Sequence, residues 1–404
     1  MVFLIFYCLL GSTSQVETGT APAIRTWPTM KAMTYTEAEK QGILDEIRGY
    51  QTAAVTDLAF DYYGFSEAEI SEMGISRKAG RTPRAQDRKK AFALFHIAAN
   101  EGDAVAFFAL GCVYLYAKPP MQDKKMGEAY MAELADKNNP QAQYVLGLLR
   151  HSGVNGPADM GQAISWYTAA AKGRHPLAAL ILGQIYRNGM GVEKNIEEAL
   201  IWLRLSADLG HPLAMRNLGT LYLNAETGEQ DLDQGLKWLG RAAQAGDPMS
   251  QYLYGQTVLS TPALSAQAEN AAKWIEQSAN QGYAPATLLL GELYLSGTGV
   301  PNDPVKAISF LRKAADQGLA DAQARIASLY LQGGPVEKDP SIAATWFRKA
   351  ADQGHPESQF AMGIMFLKGS GVAKDLPAAK AWLQKAANQG HPEAKRFLAE
   401  TAWP

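Results

Sequence analysis

The chain has 404 residues, of which 47% are hydrophobic and 19% charged, and its 38 basic and 40 acidic side chains give a formal net charge of -2. This balance excludes a generally basic protein that follows phosphate backbones, and the hydrophobic fraction excludes a disordered chain. The two cysteines, Cys8 and Cys112, exclude a disulfide framework and a cysteine-based metal site.

The first predicted element is an export signal over residues 1–23. An apolar run fills residues 1–10 and is followed by small and polar residues up to Ala23. Such a run is too short to span a bilayer, which takes about 20 helical residues, but it matches the apolar region of a secretory signal. Because no Lys or Arg precedes it, a mis-assigned start or a buried leader strand is the alternative. An export signal predicts a periplasmic or secreted protein. If residues 1–23 are not an export signal, the alternative is a cytoplasmic protein.

Residues 24–102 are predicted to form a helical cap for the array that follows. Capping boxes at Thr36–Glu39 and Ser66–Glu69 predict helix starts. The basic loop within residues 77–90 is interpreted as a solvated connector, with contact to nucleic acid or an anionic surface as the alternative. Residues 87–100 then resemble a lone second helix of the repeat described next, and they complete the cap.

A constant step of 36 residues dominates the rest of the chain. Eight repeats occupy residues 103–390, and a half-repeat follows at 391–404. Position 1 of a repeat is the residue after the terminal glycine of the preceding one, for example His211 after Gly210. Three columns recur: a small residue at position 9, an aromatic at position 12, and mostly Trp at position 28. The chain is therefore predicted to be one repeat array with a cap.

Each repeat is predicted to contain two amphipathic helices, because apolar residues recur at helical spacing in both halves. Asp or Asn residues recur where the second helix should begin, as at Asp303, and the terminal glycine should adopt the left-handed conformation that ends it. Gly-x-Gly-Val sequences such as 297–300 predict a tight turn between the helices. The absent side chain of Gly219 is expected to leave space that the indole of Trp238 fills.

The pattern across Ala286–Gly318, with Leu290-Gly291, Tyr294, Gly297-Thr-Gly299-Val300 and Phe310 in the Trp column, resembles the Sel1-like repeat, a relative of the tetratricopeptide repeat. The resemblance covers about three quarters of the chain. It implies an all-α fold, a right-handed α-solenoid of stacked antiparallel helix pairs that acts as an adaptor or assembly scaffold. It brings no common catalytic residue.

Enzyme signatures are absent from the sequence, including the phosphate-binding loop, the dinucleotide fingerprint, the zinc-protease motif and the nucleophile elbow. The histidines that open repeats, such as His175 and His211, recur at helix-pair spacing. This spacing is too wide for two imidazoles to share one zinc ion, so we expect them in the turns between repeats. No cofactor or metal is predicted.

Candidate contact residues are expected on the first helix of each repeat, which builds the concave wall of the related tetratricopeptide fold. Positions 3, 6, 10, 13 and 14 vary there while the packing columns repeat. Aromatic and Arg side chains are common interface anchors. They single out Tyr144, Arg187, Arg216, Tyr252 and Phe360.

The sequence therefore predicts a non-catalytic scaffold that binds a protein or peptide segment in its groove, with no nucleic-acid partner and no integral membrane span. One alternative is a cell-envelope protein that binds or hydrolyses glycans, using residues 24–88. Another is a structural homo-oligomer joined through Phe397, Leu398 and Trp403 of the last half-repeat. The repeats that lose the turn motif, at 225–229 and 261–266, mark a weaker candidate edge.

Overall fold

The computed structural model describes residues 35–63, 86–117, 121–228 and 230–401, and these contain twenty α-helices, one 3₁₀ helix and no β-strand. The predicted export signal, the capping box at Ser66, most of the basic loop and Trp403 lie outside the described residues. In chain order the helices are α1 Glu37–Glu46, α2 Thr52–Tyr63, α3 Arg88–Asn100, α4 Ala104–Tyr116, α5 Lys124–Asp136, α6 Pro140–Ser152, α7 Met160–Lys172, α8 Pro176–Asn188, α9 Ile196–Asp208, α10 Pro212–Leu223, α11 Leu232–Gln244, α12 Pro248–Ser260, the 3₁₀ helix Pro262–Gln267, α13 Ala268–Asn280, α14 Ala284–Ser296, α15 Pro304–Asp316, α16 Ala320–Gln332, α17 Pro340–Asp352, α18 Pro356–Lys368, α19 Leu376–Asn388 and α20 Pro392–Glu400.

The chain forms two compact units, an N-terminal unit up to Gln230 and a C-terminal unit from Asp231. Within each unit, consecutive helices pack as pairs and each pair packs on the next. We call the first helix of a repeat its A helix and the second its B helix. Each unit is thus an all-α solenoid, as the repeat pattern predicts.

Asp and Asn caps begin the B helices where the sequence predicts them. The side chains of Asp123, Asp159, Asn195, Asp231, Asp303, Asp339 and Asp375 each accept a hydrogen bond from the backbone of the first helical turn. Such a bond satisfies an amide that has no partner inside the helix. The capping box of Thr36 and Glu39 is also present at the start of α1.

The glycine at position 9 is the point of closest approach between the A and B helices. An added Cβ would lie 2.5 Å from Leu203 Cγ at Gly183 and 2.6 Å from Leu383 Cγ at Gly363. The same holds at Gly111, Gly147, Gly255 and Gly291, where the neighbour is again the residue at position 29. In these six repeats the residue at position 29, and not the Trp column at position 28, therefore lies closest to the glycine. The pairing of Gly219 with Trp238 stays a prediction.

The Trp column lies beside basic side chains one turn further along the B helix. The Lys349 ammonium is 4.1 Å from the ring centre of Trp346, and that of Lys385 is 3.9 Å from Trp382. Cation–π contacts of this kind contribute about 0.5–1 kcal/mol at exposed sites. The indoles thus pack beside these basic side chains. The residue that follows Trp382, Leu383, fills the space beside the position 9 glycine, a space that we call the glycine notch.

Buried glutamines at position 5 join successive repeats. The amides of Gln143, Gln251, Gln323 and Gln359 are each at most 5% exposed and donate to a carbonyl oxygen of the preceding B helix. In the C-terminal unit three of them also accept a 2.8 Å hydrogen bond from a glutamine at the end of the following B helix: Gln281, Gln353 and Gln389. Because buried polar groups are costly without partners, this arrangement fixes the spacing of the repeats.

The first three helices pack ahead of repeat 1. Helix α3 starts at its cap Asp87 and packs on α2 and on α4. The rings of Phe60 and Phe95 meet edge to face at 4.9 Å, and His96 Nε2 lies 2.8 Å from the Tyr114 hydroxyl. This region therefore supplies apolar and hydrogen-bonding contacts to the first A helix.

Candidate functional site

Three of the four histidines at position 1 cap the A helix that follows them. In His175, His355 and His391 the imidazole Nδ1 accepts a hydrogen bond from the third residue of the A helix. The prediction that these histidines lie in the turns between repeats is confirmed. Within the described ranges, no group of three or more His, Cys, Asp or Glu side chains is placed to hold a metal ion, and no described helix is both long and apolar enough to cross a membrane.

In three repeats, the aromatic side chain at position 6 of the A helix contacts the residue at position 1 of the next repeat. The ring of Tyr144 stacks on His175 at 4.3 Å, and that of Phe360 stacks on His391 at 4.6 Å. Tyr252 meets Tyr283 at 5.4 Å, closer to edge to face. Three of the predicted contact residues, Tyr144, Tyr252 and Phe360, thus join neighbouring A helices.

Two of the five predicted contact residues are engaged inside the N-terminal unit. Tyr144 is 0% exposed, so its ring is not available at the surface. Arg187 forms a two-pronged ion pair with Glu226, with Nε to Oε2 at 3.0 Å and Nη2 to Oε1 at 2.5 Å. Hydrogen bonding to Arg187 lowers the pKa of the Glu226 carboxyl. Both residues therefore serve the fold in this structure.

The other three predicted residues are half-buried: Arg216 in the N-terminal unit, and Tyr252 and Phe360 in the C-terminal unit. Burial raises the pKa of Tyr252, and its hydroxyl accepts a 2.8 Å hydrogen bond from Gln256. Phe360 packs with Ile364 at the edge of the last hydrophobic cluster, while both keep part of their surface open. These side chains combine a fixed position with an accessible surface.

The exposure of position 6 differs between repeats 1–3 of the N-terminal unit and the repeats of the C-terminal unit. In the N-terminal unit Phe108, Tyr144 and Leu180 are at most 5% exposed. In the C-terminal unit the four side chains at this position are all half-buried: Tyr252, Leu288, Ala324 and Phe360. Position 13 of the same four repeats is also half-buried and always Leu: Leu259, Leu295, Leu331 and Leu367. We call positions 6, 10 and 13 of repeats 5–8 the A-helix face.

An ion pair that the sequence did not indicate crosses the A-helix face. Arg325 Nε and Nη2 lie 2.5 and 2.9 Å from the two carboxylate oxygens of Glu292. The pair joins position 10 of repeat 6 to position 7 of repeat 7, and hydrogen bonding raises the pKa of Arg325. Position 7 was not among the groove positions predicted from the related tetratricopeptide fold, and it is small or aliphatic in most of the other repeats. The pair adds a fixed polar point to a largely aliphatic surface.

Acidic side chains line one edge of this face. Asp321, Glu357 and Glu393 occupy position 3 of three successive A helices, and their side chains are 69%, 67% and 55% exposed. His355 Nε2 lies 3.2 Å from Asp321 Oδ1 and 3.5 Å from Glu357 Oε2. The face therefore offers aliphatic surface beside negative charge.

Comparison with known proteins decides the family. The model of the Sel1 repeat matches residues 71–103 and then seven consecutive segments from 140–175 to 356–391. The chain belongs to the Sel1 repeat family. The family model leaves residues 104–139 unmatched, although α4 and α5 form a helix pair there in the same register. Divergence in repeat 1, such as Gly127 and Tyr130 in the B helix, has thus changed the sequence pattern while the pair is kept.

A solved structure at 32% identity supports this Sel1 assignment. A Sel1 repeat protein from Oxalobacter formigenes is 32% identical, with a TM-score of 0.63 over 76% of this chain and 88% of its own. A protective antigen of uropathogenic Escherichia coli with an SLR fold is 26% identical, with a TM-score of 0.41 over 89% of this chain and 81% of its own. No curated protein matches the chain. The Sel1 solenoid is a fold typical of protein-interaction scaffolds.

Proposed function

We propose that this Sel1 repeat protein is a non-catalytic scaffold that binds a segment of a partner protein on the A-helix face of its C-terminal unit. The observation that carries the proposal is the row of half-buried aromatic and aliphatic side chains on this face, at positions 6 and 13 of four successive repeats. Contiguous apolar surface that a protein leaves accessible marks interaction sites.

The positions that hold the helix pairs together explain why the side chains of the A-helix face can vary between repeats. Glycine notches, caps and glutamine amides hold the helix pairs, and they use other positions of the repeat. Side chains at positions 6 and 10 are therefore free to differ, as Tyr252, Leu288, Ala324 and Phe360 do. Anchors of a protein interface are commonly aromatic residues set among less important contacts. Tyr252 and Phe360 are accordingly the proposed anchors.

Site-specific photo-cross-linking tests the proposal. A photoreactive amino acid replaces Ile364 or Leu331 on the A-helix face, and Lys380, an exposed residue of the B helix α19, serves as the matched control. We expect one protein partner to cross-link at Ile364 and Leu331 and not at Lys380. The partner is then purified, and Ile364→Ser with Leu331→Ser should weaken its binding. Cross-links found at Lys380 alone, or no loss of binding in the double variant, would reject the A-helix face as the site.

A further inference from the structure

A cleft of about 590 Å³ lies in the C-terminal unit between α13, the B helix of repeat 5, and the turn of repeat 6. Four residues of the helix and four of the turn line it. None of them belongs to the A-helix face. The volume falls within the range of about 300–1,000 Å³ that is usual for small-molecule sites.

The inner part of the cleft is apolar. The turn lies directly against α13, because a Cβ added at Gly299 would be 2.3 Å from the Ala268 carbonyl oxygen and 3.1 Å from Ala272 Cβ. Ala272 is 1% exposed, and Val300 packs against the hydrophobic cluster that contains it. Pro301 extends the apolar surface to the mouth of the cleft, where it is exposed. An aromatic or aliphatic group bound there is removed from water on one side.

The wall formed by α13 carries a net negative charge. Lys273 Nζ lies 2.8 Å from Glu269 Oε1, and this hydrogen bond lowers the pKa of the Glu269 carboxyl, so these two charges offset each other. Glu276, one turn after Ala272, is exposed and forms no ion pair within the part of the chain that the structure describes. One carboxylate therefore remains beside the apolar surface, and it attracts a ligand with a single positive charge.

The residues of this wall are particular to the junction of repeats 5 and 6. At the corresponding junction of repeats 2 and 3, the three charged positions carry short side chains and the position of Ala272 carries a larger one: Gly161, Ser165, Thr168 and Ile164. Short side chains cannot enclose a ligand, and a larger residue on the inner surface leaves less room for one. A small inner residue beside long charged side chains is thus what sets this cleft apart from that junction.

We propose that the cleft binds a small organic cation, in which a short linker joins an ammonium group to an aromatic or branched aliphatic group. The apolar group contacts Ala272, Val300 and Pro301, and the ammonium group lies beside the Glu276 carboxylate. Apolar burial supplies most of the affinity, because one exposed ion pair adds little. The charge mainly selects cations over anions of the same shape.

Saturation-transfer NMR on the full chain tests the proposal, with phenethylamine as the probe. We expect a dissociation constant of about 1–10 mM, as for a small ligand of modest efficiency. Phenylacetate keeps the ring and reverses the charge, and methylamine keeps the charge and lacks the ring. Each should bind at least about tenfold more weakly. Equal binding of phenylacetate, or no binding of phenethylamine up to about 50 mM, would overturn the proposal.

Variants of the α13 wall locate the site. Glu276→Gln should weaken phenethylamine binding by about threefold, as expected for one exposed ion pair, and high salt should reduce this difference. Lys273→Ser with Glu276→Thr gives the wall the side chains of repeat 2 and should weaken binding at least about tenfold. The matched control is Asp316→Asn, which changes an exposed acid of α15 and should leave binding unchanged. An equal loss in the control would show nonspecific attraction and overturn the proposal.

Two further measurements complete the test. The changed positions are all exposed, so thermal denaturation should show that the variants stay folded. A Phe-Lys dipeptide capped at both ends carries a ring and an ammonium group on a peptide backbone. It should bind more weakly than phenethylamine, because its amides must also lose water. Tighter binding of the dipeptide would favour a segment of a partner protein and overturn the assignment to a small organic cation.

Discussion

The two units differ in the burial and charge of the side chains at positions 3 and 6 of the repeat. In repeats 1–3 of the N-terminal unit position 6 is buried, and in repeat 3 the side chain at position 3, Leu177, is only 2% exposed. In the C-terminal unit position 6 is half-buried, and Asp321 and Glu357 take position 3. The glycine notches and caps are the same in both units. A few surface positions therefore decide whether an A-helix face is closed by its own side chains or left open to a partner.

The histidines at position 1 show the same contrast. His175 is 3% exposed, stacked on Tyr144, with Nε2 2.8 Å from Gln141 Oε1. His355, at the same position, has two carboxylates within 3.5 Å. The histidine at position 1 thus packs inside a buried contact in the N-terminal unit and beside exposed carboxylates in the C-terminal unit.

The largest effect is expected where the packing is common to both units. An added Cβ at Gly371 would lie 2.0 Å from the Pro340 carbonyl oxygen, and φ there is +70°. Gly371→Ala should therefore lower the free energy of unfolding by about 3 kcal/mol or more. Gly390→Ala is the matched control, because its φ is +97° but nothing lies within 4 Å of the added atom. Thermal denaturation measures both, and equal losses would show that backbone strain alone is responsible.

Truncation at position 6 tests the difference between the units directly. Tyr144→Ala should lower the free energy of unfolding by about 3–4 kcal/mol, because a fully buried ring leaves a cavity. Phe360→Ala should cost about half as much, since part of its ring already contacts solvent. Chemical denaturation gives both values. If Phe360→Ala were as destabilising as Tyr144→Ala, the distinction between a closed and an open face would not hold.

Acid should weaken the N-terminal unit first. Burial lowers the pKa of His175 to about 3 and that of His96 to about 4, whereas an unfolded His titrates near 6.5. The unfolded state therefore takes up protons as the pH falls through about 6.5 while the folded state does not, and stability is lost in that direction. Between pH 7 and pH 5 each residue should cost about 2 kcal/mol.

Hydrogen exchange at several pH values, resolved by segment, measures this loss. Lower protection factors in α3 and α6–α8 at pH 5, after correction for the pH dependence of the intrinsic exchange rate, are the expected result. His175→Asn keeps a capping residue, as Asn139 does one repeat earlier. This variant should reduce the pH dependence of the stability of α6–α8. An unchanged pH dependence in this variant would contradict the assignment to His175.

The smallest expected effects are gains in stability. Arg174, with φ of +64°, ends repeat 2 in the conformation that glycine adopts in most other repeats, and Ala225, with φ of +56°, does so in the turn of repeat 4. Arg174→Gly and Ala225→Gly should each raise the free energy of unfolding by about 1 kcal/mol by relieving this strain. Both changes lie in the N-terminal unit, and thermal denaturation measures them. Arg241→Gly, inside a helix, is the control and should be destabilising.

Much of the fold could be predicted from the sequence because each cap and turn is a local feature. Asp303 begins a helix and Gly297 takes the left-handed turn for reasons contained within a few residues. The partner of the position 9 glycine could not be predicted in this way, because the crossing of two helices decides whether position 28 or 29 faces it. The structure selects position 29, as Leu383 shows at Gly363.

The sequence predicts that the candidate site lies on the A helices, but it identifies only some of the residues that are accessible there. Tyr144 is buried because His175, 31 residues later, stacks on it, and Arg187 is held by Glu226, 39 residues later. No local pattern indicates such contacts between repeats. Tyr252 and Phe360 do lie half-buried on the A helices, where the repeat register placed them. The acidic edge could not be predicted from the sequence, because it depends on how three separate A helices place their carboxylates along one face.

The glutamine junctions have a consequence for how such a chain changes through evolution. The amide at position 5 donates to the carbonyl oxygen at position 33 of the preceding repeat and accepts from the glutamine at position 35 of its own repeat. One whole repeat therefore carries the donor for the junction before it and the acceptor for the junction after it. Duplication or loss of a single complete repeat in the gene then regenerates the same junction on either side. The length of this protein can therefore drift by recombination without any new interface having to be selected.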